Sequence, residues 1–185
     1  SATIDPEEFI MFLGGLNCCS HIDMDGRKMH DVAVHYMGVP DKVDLSEGSL
    51  SNEGPKSVLD ATVKCSLQCA SERRRIMSSQ PWAKATVPTI ASFLHSRASC
   101  GQAAALCKTQ LKAKDKCCVM ELHGGLSKDE IEDILGFKAL EKNRDTQLII
   151  FGTNIFQAGV TLPDLGFVID SGLENSVTFD EHTQK

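Results

Sequence analysis

"FGTNIFQAGVTLPDLGFVIDSG", residues 151–172, hands one apolar run to another through a polar joint. The first run, "TQLIIFG" (146–152), stops at Gly152, and Thr153 and Asn154 follow it. A short amphipathic piece then crosses to "GFVIDSG" (166–172), whose apolar part ends at Asp170. Near-continuous apolar runs, without alternation, are the mark of strands buried on both faces, as parallel strands are. In an open parallel sheet, ligands bind beyond the carboxyl ends of the strands. Thr153 and Asn154 stand at such an end.

The pattern extends outward from this stretch. "CCVMEL" (117–122) and "TVPTIASFL" (86–94) read as strands, the second with Pro88 near its start, where a ladder tolerates it. "VAVHYM" (32–37), with β-branched and aromatic residues, reads as a further short strand. Helical spacing of Val58, Leu59, Val63 and Leu67 predicts a helix over 56–77, and an Ala/Leu-rich stretch predicts another over 98–113. A third helix is expected over 127–143, where Ser127 and Glu130 have capping-box spacing and acidic residues crowd the first turn. "PEEFIMFLGGL" (6–16) reads as a short helix with a glycine stop, and 41–55 as a polar Gly/Ser-rich loop. Alternation of strands and helices implies an α/β fold: a parallel sheet with helices on both faces.

The chain has 185 residues, a formal net charge of −6 and 42% apolar residues, enough for a core and unlike a chain coated in basic residues. A local basic groove remains compatible with that balance, and "ERRR" (72–75) and "KTQLKAKDK" (108–116) are its candidates or merely solvated helix faces. No apolar run is long enough to span a bilayer, so no membrane partner is expected. The eight cysteines show no C-x-x-C pair, and "SATIDPEEF" carries neither a basic nor an apolar leader region, so no signal peptide, reduced thiols in an intracellular compartment, nuclear or cytoplasmic, and no zinc site are expected.

The pattern G-x-x-x-x-G-K-S/T does not occur, nor does a G-x-S-x-G elbow. "DMDG" (23–26) begins like a calcium loop, but its twelfth position is Val34 in place of Glu. No catalytic set or metal site is complete. What remains is a row of polar residues at three strand ends: His95, Ser96 and Arg97; His123, Gly124 and Gly125; Thr153 and Asn154. Such a row, with amides at helix starts, suits a run of phosphates in a polynucleotide backbone. Strands also end in turn-forming polar residues for no reason but the turn, so both readings stand on the residues alone.

"SATID" at the start, then "TNIFQAGVTLPDLGFVIDSG", then "FDEHT" resemble the DEAH/DExH group of superfamily 2 RNA helicases. In that family a Ser-Ala-Thr motif closes the first RecA-like lobe, and the second lobe carries "TNIAETSxTIPDVxxVIDSG". "IASFLHSRASC" and "LHGGLSKDE" are similar, in order, to the family's "ILVFLPGREEI" and "LHSSLPxEE". The resemblance implies a P-loop NTPase superfamily fold, with residues 1–25 the tail of the first lobe and 26–185 a second lobe truncated at its end. It implies that Ser1, Ala2 and Thr3 couple hydrolysis to strand separation. It puts Arg97, Gly124, Thr153 and Asn154 along the RNA backbone, and Gly159 and Thr161 toward the nucleotide cleft. The family's "AETS" is "FQAG" here, Phe156 to Gly159, and some viral members read "TNIIENGVTL". The Walker A, DExH and Q-R-x-G-R motifs are not in the chain, so ATP and magnesium are expected in a complete parent and no cofactor tightly bound by this piece. The expected partners are single-stranded RNA or an RNA duplex and the missing first lobe. A non-catalytic RNA-binding or interaction remnant is the alternative.

Overall fold

The computed structural model describes residues 6–15, 17–18, 32–38, 54–79, 87–112, 115–157 and 160–173. The chain divides into two compact units, Ser1–Val39 and Pro40–Lys185.

In the first unit, helix α1 spans Pro6–Phe12 with Glu7 and Glu8 in its first turn. Its end is a Schellman stop: the Gly15 amide donates to the Ile10 carbonyl and the Gly14 amide to Met11, with Gly14 at φ +98°. Residues 32–38 run without regular structure, and Val32, Val34 and Tyr36 are exposed. The strand expected over 32–37 is therefore corrected. Its composition favours a pleated surface, but a strand exists only where a neighbour takes its backbone groups, and these residues have no ladder partner among the described residues.

The second unit holds α2 (Gly54–Ser79), β1 (Thr89–Phe93), α3 (Arg97–Gln110), β2 (Cys117–Leu122), α4 (Lys128–Gly136), β3 (Gln147–Gly152) and β4 (Leu165–Asp170). All the ladders are parallel, and the sheet order is β2-β3-β1-β4. Chain path and handedness agree. From β1 the chain moves past β3 to β2, with α3 on one face. It then reverses through α4 to β3 and on to β4. A reversal of direction with right-handed crossovers puts the later connections on the opposite face. The cores bear this out. Cys100, Ala103, Ala104 and Cys107 of α3, at helical spacing, join Leu59, Val63 and Ala70 of α2 against Ile90, Ile149 and Phe151. On the other face, Ile134 of α4 packs with Leu122, Leu148 and Ile150, beside Ile155, Val160 and Leu162 of the β3–β4 crossover. The expected parallel sheet covered on both faces is what the chain builds.

One polar bridge crosses the first core. Ser66 of α2 and Ser92 of β1 share a 2.8 Å hydrogen bond, and Ser66 also donates to the Thr62 carbonyl. Every polar atom of this pair therefore keeps a partner inside the core. The helix expected over 127–143 ends at Gly136 and continues as two short 3₁₀ turns, Phe137–Ala139 and Glu141–Asn143.

β4 joins β1 with one residue extra. Thr89 faces Leu165 and Ile90 faces Phe167, so Gly166 forms a bulge. A methyl group on Gly166 would fall onto the ring of Pro88. The ring is locked into the backbone and cannot turn aside. Gly166→Ala should therefore lower stability by about 1–3 kcal/mol. A urea midpoint that does not move would show that β4 slides along β1 at no cost.

Candidate functional site

The carboxyl ends of the four strands are brought level by hydrogen bonds just beyond them. The Leu94 amide donates to the Gly152 carbonyl at 2.8 Å, Thr153 to Leu122 at 3.1 Å, and Ser171 to Phe93 at 3.3 Å. β1 and β3 are neighbours whose onward connections leave on opposite faces. That is the topological switch where α/β sheets open a crevice. A cleft of about 690 Å³ lies there. His95, Ser96 and Arg97 wall it on the β1 side, and Thr153 and Asn154 on the β3 side. Phe93 and Val168 add an apolar surface, and Asp170 stands at the end of β4.

The β1 wall is shaped by the start of α3. Ser96 is the N-cap, in extended backbone at φ −148°, and its Oγ accepts from the Ser99 amide at 3.1 Å. Ser99 Oγ in turn lies 2.8 Å from Ser96 Oγ and 3.1 Å from His95 Nε2. His95 Nδ1 is buried without a hydrogen-bond partner among the described residues. The cap satisfies the Ser99 amide and leaves the first-turn amides at the mouth of the cleft, the arrangement that favours anions.

Arg97 is held by a residue from the next turn. A methyl group on Gly125 would lie 2.7 Å from Arg97 Nη1 and 3.2 Å from its Cζ, so the guanidinium rests on the bare Gly125 backbone. The same turn is fixed from within: the Gly125 amide donates to His123 Nδ1 at 3.2 Å. His123 is buried, and accepting at Nδ1 puts its proton on Nε2, 3.9 Å from Glu121 Oε2. α4 starts with the expected capping box, the Ser127 amide and hydroxyl both donating to Glu130 Oε2 at 2.7 Å. The Ser127 amide, then its hydroxyl, hold the Glu130 carboxyl below the usual carboxylate range, with smaller help from His123 and Arg97. Gly125→Ala should push the guanidinium out of place. We expect anion binding to weaken severalfold while stability moves by less than about 0.5 kcal/mol, since the displaced group is the free end of a long side chain. Paired binding and urea titrations read the two effects.

Of the residues singled out in the sequence, Arg97, Thr153 and Asn154 meet in the cleft. Gly124 is exposed in the turn beside it, with open space where a side chain would be. Thr161 is exposed in the crossover to β4 and does not line the cleft. Ser1, Ala2, Thr3 and Gly159 lie outside the described residues. Phe93, Val168 and Asp170 were not legible as site residues. Phe93 and Val168 read as strand residues inside apolar runs and Asp170 as the end of one, and only the order β3-β1-β4 brings all three to the cleft that holds Thr153. Among the described residues, no group of three or more His, Cys, Asp or Glu is placed to hold a metal.

Residues 75–184 match the family of the helicase conserved C-terminal domain, more than half of the chain. The chain belongs to that family, and its all-parallel sheet flanked by helices is an α/β fold of the RecA-like kind. Domains of this type generally bind nucleic acid and pair with an amino-terminal lobe. No curated protein matches the chain.

Proposed function

We propose that this chain is the second lobe of an ATP-dependent RNA helicase of the DEAH/DExH group, and that it grips single-stranded RNA, or the end of an RNA duplex, by the sugar–phosphate backbone. The supporting observation is the meeting of Ser96 and Arg97, after β1, with Thr153 and Asn154, after β3, in one cleft. A guanidinium, hydroxyls, an amide and a helix start are donors suited to phosphate oxygens. In this reading ATP and magnesium bind in the complete parent, where a first lobe supplies the Walker A lysine and the DExH acid. Ser1, Ala2 and Thr3 would carry the coupling, and Gly159 and Thr161 would approach the nucleotide. The setting is a reducing compartment, nuclear or cytoplasmic.

The test is fluorescence anisotropy with labelled single-stranded RNA across a range of salt. Affinity should fall as salt rises. Arg97→Ala should cost about tenfold and flatten the slope of log K against log salt by about 1, one phosphate contact fewer. Binding that ignores both salt and Arg97 would sink the reading in favour of a scaffold indifferent to RNA. The chain alone should not turn over ATP. Turnover that survives repurification and is lost in Thr161→Ala would overturn that part.

A further inference from the structure

The cleft holds one group that does not suit a phosphate. Asp170 closes β4 opposite Phe93 in the ladder, and Phe93 pairs with Gly152 on its other side. Val168 and Asp170 share the face of β4 turned away from α2, since Phe167 and Ile169 pack into the α2–α3 core. Asp170 is exposed, and its Oδ1 accepts from the Gly172 amide at 2.9 Å, which fixes the carboxylate at the rim. Two strand spacings, about 10 Å, separate the β3 end with Thr153 from the β4 end with Asp170. The β3 and α3 side of the cleft offers donors, the middle offers an aromatic ring, and the β4 side offers an acceptor.

That polarity selects among backbones. An ionised carboxylate only accepts hydrogen bonds, and so do phosphate oxygens, so Asp170 repels any phosphate that comes near it. A DNA backbone has no donor to offer. An RNA backbone has one per nucleotide, the 2′-hydroxyl. With phosphates on the Arg97, Thr153 and Asn154 side and Phe93 beneath the sugar or base, the β4 side meets the ribose.

Resting on the backbone-binding reading above, we infer that Asp170 accepts a hydrogen bond from a ribose 2′-hydroxyl and makes the cleft selective for RNA over DNA. One hydrogen bond to a charged acceptor corresponds to a preference of about tenfold or more.

The experiment compares a short labelled oligouridylate with its deoxy and 2′-O-methyl counterparts, on the whole chain and on Asp170→Asn and Asp170→Ala. The unaltered chain should bind the ribose form about tenfold more tightly than either of the others. Asp170→Ala should bind the deoxy form better than the unaltered chain does, because a repulsion is gone, and the ribose preference should fall below about threefold. Asp170→Asn keeps an acceptor without the charge and should fall between. Equal binding of the ribose and 2′-O-methyl forms, or an unchanged ribose preference in Asp170→Ala, overturns the inference while leaving the cleft a nucleic-acid site. If no oligonucleotide binds, or none responds to Arg97→Ala, the underlying reading fails and the inference falls with it.

Discussion

Replacing Lys138 with methionine is expected to lower the stability of the second unit by about 3 kcal/mol. Lys138 leaves the first 3₁₀ turn after α4 and buries its ammonium at the amino ends of the two central strands. Nζ donates to the carbonyls of Val87 at 2.8 Å, Arg144 at 3.3 Å and Thr146. Val87 leads into β1 and Thr146 into β3, so one side chain ties the starts of the two strands together. An ammonium has three donors, and three carbonyls take them. Burial pushes the Lys138 pKa below the usual lysine value, while Asp164 and Asp145 pull it back up. The charge is thus tolerated more than welcomed. Removing it is nonetheless costly, because methionine fills the space and leaves three inward-facing carbonyls without their donor. Urea unfolding at neutral pH measures this. A loss under about 1 kcal/mol would mean that water reaches the carbonyls in its place.

Lys138 also shows where the sequence stops speaking. Within the run "SKDEIEDILGFKALEKN" a lysine reads as a solvated helix residue, and nothing local says otherwise. Its burial follows from the chain turning under the sheet after Gly136, a tertiary event. β2 and β3 were legible nearly to the residue because parallel strands need apolar side chains on both faces, and few other arrangements do. The capping box of α4 was legible because its chemistry is confined to Ser127 and Glu130. The segment at 32–37 misled because pattern gives propensity, and pairing needs a neighbour that pattern cannot name. Of the polar row at the strand ends, the β1 and β3 members line the cleft, while His123, Gly124 and Gly125 stay outside its lining. The contact of Arg97 with Gly125, and the place of Asp170 across the cleft, depend on strand order, which no short stretch of sequence contains.

Raising the pH from 9 to 11 should cost about 4 kcal/mol of stability through Cys100 and Cys107. Both thiols lie on the inner face of α3, fully buried against the sheet. Burial pushes each up from 9.0 to about 11, with Glu121 adding to the effect on Cys100 and Cys117 to that on Cys107. The folded pKa is raised, so the folded chain keeps two protons that the unfolded chain gives up. Their contribution is complete below about pH 9, fades as pH rises, and is gone above about pH 11. Two pKa units correspond to about 3 kcal/mol for each thiol, of which about 2 is lost between pH 9 and 11. Lys138 acts with the opposite sign: its lowered pKa means the folded chain sheds that proton first, and stability is regained as pH approaches 10.5. The thiols outweigh it by number and by depth of burial. Urea midpoints at pH 8 and 10.5 should therefore differ strongly in the unaltered chain and much less in the Cys100→Ala, Cys107→Ala double variant. In Lys138→Met the alkaline loss should steepen, since the offsetting titration is gone. Equal losses in all three proteins would place the alkaline transition on other groups and remove these two thiols as its cause.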